Sequence, residues 1–267
     1  MAGSRTSGLC AGLLVATWSF CASAALEPHV AAYRLTLAGG STLGAPFIEV
    51  RGGLVIEWRL ACDGWLSRQR LAFVGTLEEG GDLSHDVRFS SWEALDGSRM
   101  RYSYRSYGDD ELQEDFRGEA RLDPPAGGMA TFDEPGQRDV ELPPETIFPT
   151  THIQKILDDA RAGGHFAIVS HQVFDGAGFD SLTQITSVIG ELKTAEPSAK
   201  AEHDGGRAWP VSMAYYNLHD SSDMLPNFEA AFLLGADGVL RDVTLDYGDF
   251  RLDAKLEKLE LLDRPDC

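Results

Sequence analysis

Short runs of strand-forming residues recur along this chain and are separated by turn signals roughly every 8 to 15 residues. Residues 87–92, 100–104 and 166–174 are rich in aromatic and β-branched side chains, and they alternate, or nearly so, between polar and apolar. Asp96-Gly97 and Asp237-Gly238 separate such runs, and an Asp-Gly pair supplies the positive φ angles of a tight hairpin turn. The pattern predicts about a dozen strands in one large antiparallel sheet or barrel. Because one face of the strands is polar, we expect a sheet that is covered on one side only.

One helix interrupts the predicted strands. Thr151 precedes apolar residues at positions 153, 156, 157 and 160, which share one face at helical spacing. Thr151 and Gln154 fit a capping box, and Gly163-Gly164 ends the run. We expect this helix to plug one end of the sheet rather than to act as a recognition helix. Residues 196–207 are predicted to form an exposed loop.

The run at residues 251–262 fits two kinds of secondary structure. Its leucines fall at helical spacing, and its Ala, Leu, Glu and Lys content favours a helix. The same leucines also fit a strand whose alternation shifts near Lys258, as a β-bulge would cause. The residues alone leave both interpretations open.

The first 24 residues are predicted to be a secretory signal peptide. One basic residue, Arg5, precedes an uncharged run at residues 8–20, and Ala22-Ser23-Ala24 follows as a small-residue cleavage site. The uncharged run of about 13 residues is shorter than the ~20 needed to span a bilayer. We therefore expect an exported mature protein, residues 25–267, that does not span a membrane. Cys21 could mark a lipoprotein instead, but Phe20 is not the small residue that a lipobox requires before its cysteine.

The charge of the chain argues against two classes of partner. Lys and Arg number 23 against 42 Asp and Glu, a formal net charge of -19, and removal of the leader with its one Arg makes this -20. So negative a surface repels phosphate backbones and anionic lipid headgroups, which excludes nucleic acid as an expected partner. We instead expect a partner with a basic or backbone-pairing surface, bound more tightly as salt falls.

The cysteines predict one disulfide. Cys10 and Cys21 lie in the leader, so the mature chain keeps Cys62 and Cys267. Two cysteines in an exported chain are typical of a disulfide. The alternative is a free nucleophilic Cys62, but the neighbouring Asp63 would raise the pKa of its thiol and weaken it as a nucleophile.

The sequence holds no strong catalytic or metal-binding motif. Its seven histidines form no H-x-H or H-E-x-x-H pair, and His165 and His171 would lie roughly 20 Å apart on one strand, too far to share a metal. Glu114-Asp115 and Asp158-Asp159 are the candidate acid pairs for a glycosidase, although solvated surface charge explains them better. No nucleotide-binding loop or serine elbow occurs. We therefore predict no catalytic residues, no metal site and no cofactor.

Aromatic residues could line a ligand groove, although core or sheet-rim packing is their commoner role. The candidates are Trp58, Trp65, Trp92, Tyr102, Tyr104, Trp209, Tyr215 and Tyr216.

Several short blocks occur in the order typical of the EipB family, the cell-envelope integrity proteins of the Gram-negative periplasm, and the resemblance extends over essentially the whole mature chain. The blocks are Cys62-Asp63-Gly64-Trp65, residues 148–152 (FPTTH), residues 173–176 (VFDG), Trp209-Pro210-Val211, residues 240–250 (LRDVTLDYGDF) and the terminal Cys267.

This resemblance implies a mainly β fold, in which one antiparallel sheet curls into a spiral or half-barrel with a few short helices. It implies that a disulfide between Cys62 and Cys267 closes the fold, and it favours a strand at residues 251–262. It also implies a role in envelope maintenance and a periplasmic tetratricopeptide-repeat partner. It supplies no catalytic residues.

Three functional hypotheses follow. The first is a non-catalytic periplasmic protein that binds another protein or an envelope component through its sheet. The second is a carrier that holds a lipid or lipopeptide on the concave face, by analogy with half-barrel lipoprotein carriers, and this requires a contiguous apolar concave face. The third is a hydrolase of envelope polymers, which requires two facing carboxylates or a base-paired nucleophile in a cleft.

Overall fold

The computed structural model describes residues 26–39, 45–163, 166–194, 206–218 and 225–267. The predicted leader and His165 lie outside these residues, as does the predicted loop at 196–207 apart from its last two residues.

Within the described residues the chain forms sixteen strands and one helix, α1 (Pro149–Gly163). The strands are β1 (His29–Leu37), β2 (Phe47–Leu60), β3 (Gly64–Leu77), β4 (Asp82–Ala94), β5 (Arg99–Gly108), β6 (Glu111–Leu122), β7 (Gly128–Glu134), β8 (Arg138–Leu142), β9 (Thr146–Ile147), β10 (Ala167–Phe174), β11 (Leu182–Ile189), β12 (Lys193–Thr194), β13 (Arg207–Asn217), β14 (Phe228–Gly235), β15 (Leu240–Asp246) and β16 (Arg251–Leu261).

All sixteen strands belong to one sheet, in the order β8-β7-β6-β5-β4-β3-β2-β1-β16-β15-β14-β13-β11-β10-β9, with β12 paired to β13. Neighbours are antiparallel except β9 and β10. The two edge strands, β8 and β9, are separated in the chain only by residues 143–145, which reach at most ~15 Å. The sheet therefore curls until its edges come close together, and the predicted large, curled antiparallel sheet is confirmed.

Side chains alternate between the inside and the outside of the curled sheet, as the polarity pattern predicted. Ala31, Tyr33 and Leu35 of β1 are buried, whereas Arg34 is exposed and pairs with Glu257 on the outer face. The sheet is covered on its inner side by its own opposite wall and by α1.

An aromatic cluster closes the curl. The ring of Phe174, at the end of β10, lies 5.6 Å from that of Tyr102 on β5 and 6.2 Å from that of Phe132 on β7. Phe179 extends the contact, with its ring 4.9 Å from that of Phe132. Tyr102 and Phe132 lie on β5 and β7, whereas Phe174 and Phe179 lie at the end of β10 and in the loop after it. Because these strands are far apart in the sheet order, the packing of the rings joins the two ends of the sheet.

The run at residues 251–262 is a strand, β16, which pairs with β1. The register shifts between Ala32, opposite Lys258, and Tyr33, opposite Leu256, so Glu257 is the extra residue of a bulge. The strand interpretation and its parity shift near Lys258 are therefore correct, and the helical alternative is wrong.

The helix begins at Pro149, so the capping box predicted at Thr151 is wrong. Pro149 takes the first helical position, where a missing N–H costs nothing. The cap comes from Glu93 at the end of β4, which is buried. Its carboxylate accepts from the backbone N–H of Thr150 at 2.7 Å, and from the backbone N–H and hydroxyl of Thr151 at 2.9 and 2.5 Å. A carboxylate at this position satisfies free helix N–H groups and complements the positive end of the helix dipole.

The other end of α1 is held by a second turn. Arg161 donates from Nη2 to the carbonyl of Ala236, at 2.8 Å, in the connection between β14 and β15. The helix thus joins the β4–β5 and β14–β15 ends of the sheet, which agrees with the predicted role as a plug.

Cys62 and Cys267 are bonded in the structure, with their Cα atoms 5.7 Å apart. Cys62 lies in the turn between β2 and β3, and the bond ties the segment after β16 to that turn.

Candidate functional site

A cavity of about 370 Å³ lies inside the curled sheet, next to the first half of α1. Eighteen residues line it, from both halves of the sheet and from the helix, and thirteen of them are apolar. Ile56, Phe89, Ile185 and Phe232 are among these, on β2, β4, β11 and β14. No lysine or arginine lines the cavity within the described part of the chain. The concave face is thus mainly apolar, as the carrier hypothesis requires.

Three of the five polar lining residues are Asp175, Tyr215 and Tyr104, and the charge of Asp175 acts on both tyrosine hydroxyls. Asp175 follows β10, and burial raises the pKa of its carboxyl although it accepts a hydrogen bond from the N–H of Ala177 at 2.9 Å. Burial, and then the charge of Asp175, raises the pKa of Tyr215 to about 12. Burial, and then Glu114, raises the pKa of the Tyr104 hydroxyl. Each of these shifts favours the neutral form, so the wall of the cavity disfavours charge.

His152 is the fourth polar residue and the least satisfied one; the fifth is Gln69. The side chain of His152 projects from α1, is only 5 % exposed, and its Nε2 has no hydrogen-bond partner within the described residues. Burial, with a smaller contribution from His171, lowers the pKa of His152 to about 4, so the ring is neutral at pH 7. The His171 ring lies 5.4 Å away, and its Nδ1 has no hydrogen-bond partner in the described part of the chain either. An unsatisfied buried nitrogen beside a cavity is a place where a polar group of a ligand can bind.

In neither candidate acid pair do the two carboxylates face each other. Glu114 accepts a hydrogen bond from Ser106 and Asp115 pairs with Arg105, and as neighbours on β6 the two carboxylates point to opposite faces. Asp158 is 71 % exposed and lies 3.6 Å from Arg161 on the outside of α1. Within the described residues, no cluster of three or more potential metal ligands occurs.

The aromatic candidates divide between several places. Trp58, Tyr104 and Tyr215 line the cavity, whereas Tyr102 belongs to the cluster that closes the curl. Trp92 lies on the outer face with the guanidinium of Arg101 4.7 Å from its ring centre. Trp65 and Trp209 are buried in the main core, and Tyr216 does not line the cavity.

Sequence reasoning gave no role to His152 or Asp175. Both lie in blocks on which the family resemblance depends, FPTTH and VFDG. Only those blocks could have pointed to these two residues from the sequence, because neither residue forms a recognisable motif by itself.

The fold and cavity define a class of protein, in which one antiparallel sheet curls into a nearly closed barrel around a mainly apolar interior. Within that class, the EipB-like family model matches residues 21–263, and the chain belongs to this family. Cell envelope integrity protein EipB of Brucella abortus (strain 2308) is 28 % identical over 271 residues, which cover 97 % of this chain and 95 % of the relative.

A solved structure supports the same assignment. The beta-barrel-like protein of a domain of unknown function from Brucella abortus superposes with a TM-score of 0.81 at 28 % identity. The match covers 90 % of this chain and 99 % of that one. The resemblance inferred from the sequence is therefore confirmed. None of the described helices is long and apolar enough to cross a membrane.

Proposed function

We propose that this protein supports cell-envelope integrity as a non-catalytic periplasmic protein that binds an apolar envelope component in its cavity. The observation that carries the proposal is the cavity itself, with a volume of about 370 Å³ and thirteen apolar residues among its eighteen. Ligand sites span roughly 300–1,000 Å³ and are mostly apolar with a few polar groups. The name of the Brucella relative, a cell envelope integrity protein, supports the envelope role.

An acyl chain is the ligand that these walls fit best. Each buried methylene contributes about 0.8 kcal/mol of transfer free energy, so a chain of several carbons gains enough to bind. An anionic group buried in the cavity would find no positively charged side chain to pair with, since no lysine or arginine is among the lining residues described. This is the carrier hypothesis in its specific form, with a lipid or lipopeptide as the cargo.

Export to the periplasm is part of the proposal. Its support is the leader at residues 1–24 and the bond between Cys62 and Cys267, which suits an oxidising compartment. The mature chain, residues 25–267, would then be one β-spiral domain.

A protein partner is the second candidate, and the tetratricopeptide-repeat protein that the resemblance implies is the one to test. The edge strand β8 favours this candidate, because none of the described strands lies on its outer side. Such an edge can pair with an added backbone segment. Titration at two ionic strengths tests it; given the net charge, we expect tighter binding at low salt, and unchanged affinity would show that charge is not the driver.

The experiment for the cavity is titration of the mature protein with a fluorescent 16-carbon acyl probe. Val87 lines the cavity and Val55 lies on the outer face of the same sheet, 40 % exposed. We expect one probe to bind the wild type, Val87→Trp to weaken binding at least tenfold by filling the space, and Val55→Trp to leave it unchanged. Melting temperatures establish that both variants fold. Absence of probe binding to the wild type, or equal loss in both variants, would refute the proposal.

A further inference from the structure

We propose that the outer face of strands β3–β6 holds a site for a phosphate monoester, built from Ser90, Ser103 and the arginines around them. We call this site the serine pit. It lies on the opposite face of the sheet from the cavity, and it does not depend on the function proposed above.

The strand register places the two serines side by side. Ser90 on β4 is paired with Ser103 on β5, and the same row continues to Arg68 on β3 and Arg117 on β6. Adjacent strands lie about 4.8 Å apart, so the two arginines stand ~14 Å apart with both hydroxyls between them. Neither hydroxyl makes a hydrogen bond to another described residue. Because serine is short and arginine is long, the row forms a depression with a polar floor.

The rows on either side add more guanidinium groups. Arg88 and Arg105 are paired across β4 and β5 two residues along from the serines, and Arg101 lies two residues along in the other direction. Two adjoining depressions, of about 690 and 340 Å³, share Arg68, Ser90 and Ser103 in their walls. Together these walls contain six arginines and three acidic residues, although acidic residues outnumber basic ones 42 to 23 in the whole chain. The walls are thus richer in basic residues than the chain as a whole, although further carboxylates, those of Asp86, Asp115 and Glu134, pair with these arginines.

The arginines are accessible, and most of them are only weakly paired. Arg68, Arg88, Arg105 and Arg117 have side chains between 43 % and 67 % exposed. They pair with carboxylates on the outer face, at 3.7, 2.7, 3.1 and 3.3 Å respectively. Arg88 is held most firmly, because it shares Asp86 with Arg70, and against the effect of burial their hydrogen bonds lower the pKa of that carboxyl to about 2. Isolated exposed pairs contribute only about 0.2–1 kcal/mol each, so an incoming anion of higher charge can compete for the other three arginines.

Arg101 is the strongest single anchor. Within the described part of the chain it has no ion pair, and its guanidinium lies 4.7 Å from the centre of the Trp92 ring. Stacking on an aromatic face holds an arginine in place while leaving its N–H groups free to bind. A preorganised donor of this kind loses less entropy on binding.

A phosphate monoester has the chemistry that this site fits. It carries about -1.5 to -2 charge at pH 7 and three acceptor oxygens, whereas a carboxylate carries one charge and two oxygens. Arginine binds phosphate through paired N–H donors, and the serine hydroxyls can donate to a third oxygen. The acidic surface elsewhere acts weakly here, because charges further away than the Debye length of about 8 Å are screened at physiological salt.

The test is calorimetric titration of the mature protein with glycerol phosphate at low salt, repeated with vesicles that contain phosphatidic acid in phosphatidylcholine. We expect the double variant Arg101→Gln/Arg117→Gln to weaken binding at least tenfold. The control is Arg34→Gln, which removes another exposed arginine of the outer face, one that pairs with Glu257. All three residues are on the surface, so melting temperatures should change little.

The two probes distinguish the source of the phosphate. Binding of glycerol phosphate indicates a free ester, and binding only of the phosphatidic acid vesicles indicates a lipid headgroup; either supports the site. The proposal is refuted if neither probe binds, or if Arg34→Gln weakens binding as much as the double variant. It is also refuted if a glutamate-rich peptide binds more tightly than both probes, which would identify an acidic protein partner instead.

Discussion

The buried imidazole of His152 makes the stability of this fold depend on pH in a way that one substitution can isolate. Its pKa falls from 6.5 to about 4 on folding, mainly through burial. The unfolded chain therefore takes up a proton on this side chain first as the pH decreases. The stability that neutral His152 provides is complete above pH 6.5 and is lost progressively as the pH falls to about 4. At 1.36 kcal/mol per pKa unit, the loss amounts to about 3 kcal/mol.

Urea unfolding of the wild type and of His152→Phe at pH 7 and pH 4 measures this loss. Phenylalanine keeps an aromatic ring against His171 and cannot take up a proton. Because all other titrating groups are common to both proteins, the difference between them isolates position 152. We expect the variant to gain about 3 kcal/mol relative to the wild type between pH 7 and pH 4.

A second variant tests the cause of the shift. His171→Phe removes the only other charge that contributes to it, and burial is the larger contribution. Most of the pH dependence should therefore survive in His171→Phe. A difference between wild type and His152→Phe that is the same at pH 7 and pH 4 would refute the reasoning.

Three further predictions concern the disulfide, the helix cap and the leader. Loss of the disulfide should lower the melting temperature equally in Cys62→Ser, in Cys267→Ser and in the double variant. In the chain-entropy model, closing a loop of 205 residues stabilises the fold by roughly 5 kcal/mol. Reductant should lower the melting temperature of the wild type only. Titratable thiol in the native protein would contradict this. Glu93→Ala should lower the free energy of unfolding in urea by about 2–5 kcal/mol, because it leaves two helix N–H groups without an acceptor. An unchanged urea midpoint would exclude the capping role. Intact mass should show a mature chain that begins after Ala24; a lipid-modified chain beginning at Cys21 would contradict it.

The parts of the fold that depend on local chemistry could be predicted from the sequence. Both Asp-Gly turns occur where expected, with φ of 67° at Gly97 and 82° at Gly238. The parity shift near Lys258 indicated the bulge in β16 because a bulge changes which face every later side chain occupies.

The parts that depend on distant contacts could not be predicted. The residue that caps α1, Glu93, is 57 positions away from Thr150, so the nearby Thr151 was the only visible candidate. The cavity forms only when the two ends of the sheet come together. This places His152 and Asp175 in the wall of the same cavity, although no sequence motif links them. The serine pit depends on the register of four strands, and register is set by the whole sheet rather than by any one run.

The pairing of β1 with β16 also determines the order in which the molecule can form. These strands lie at the centre of the sheet, but they are the first and last of the described strands in chain order. Strands β1–β8 can pair in sequence as they emerge, yet the free side of β1 stays uncovered until Arg251–Leu261 arrives. Contacts across so large a sequence separation form slowly, because the intervening chain must first lose its freedom. During that interval β1 presents unpaired backbone groups of the kind that promote aggregation, although in the finished fold it lies at the centre of the sheet with a neighbour on each side.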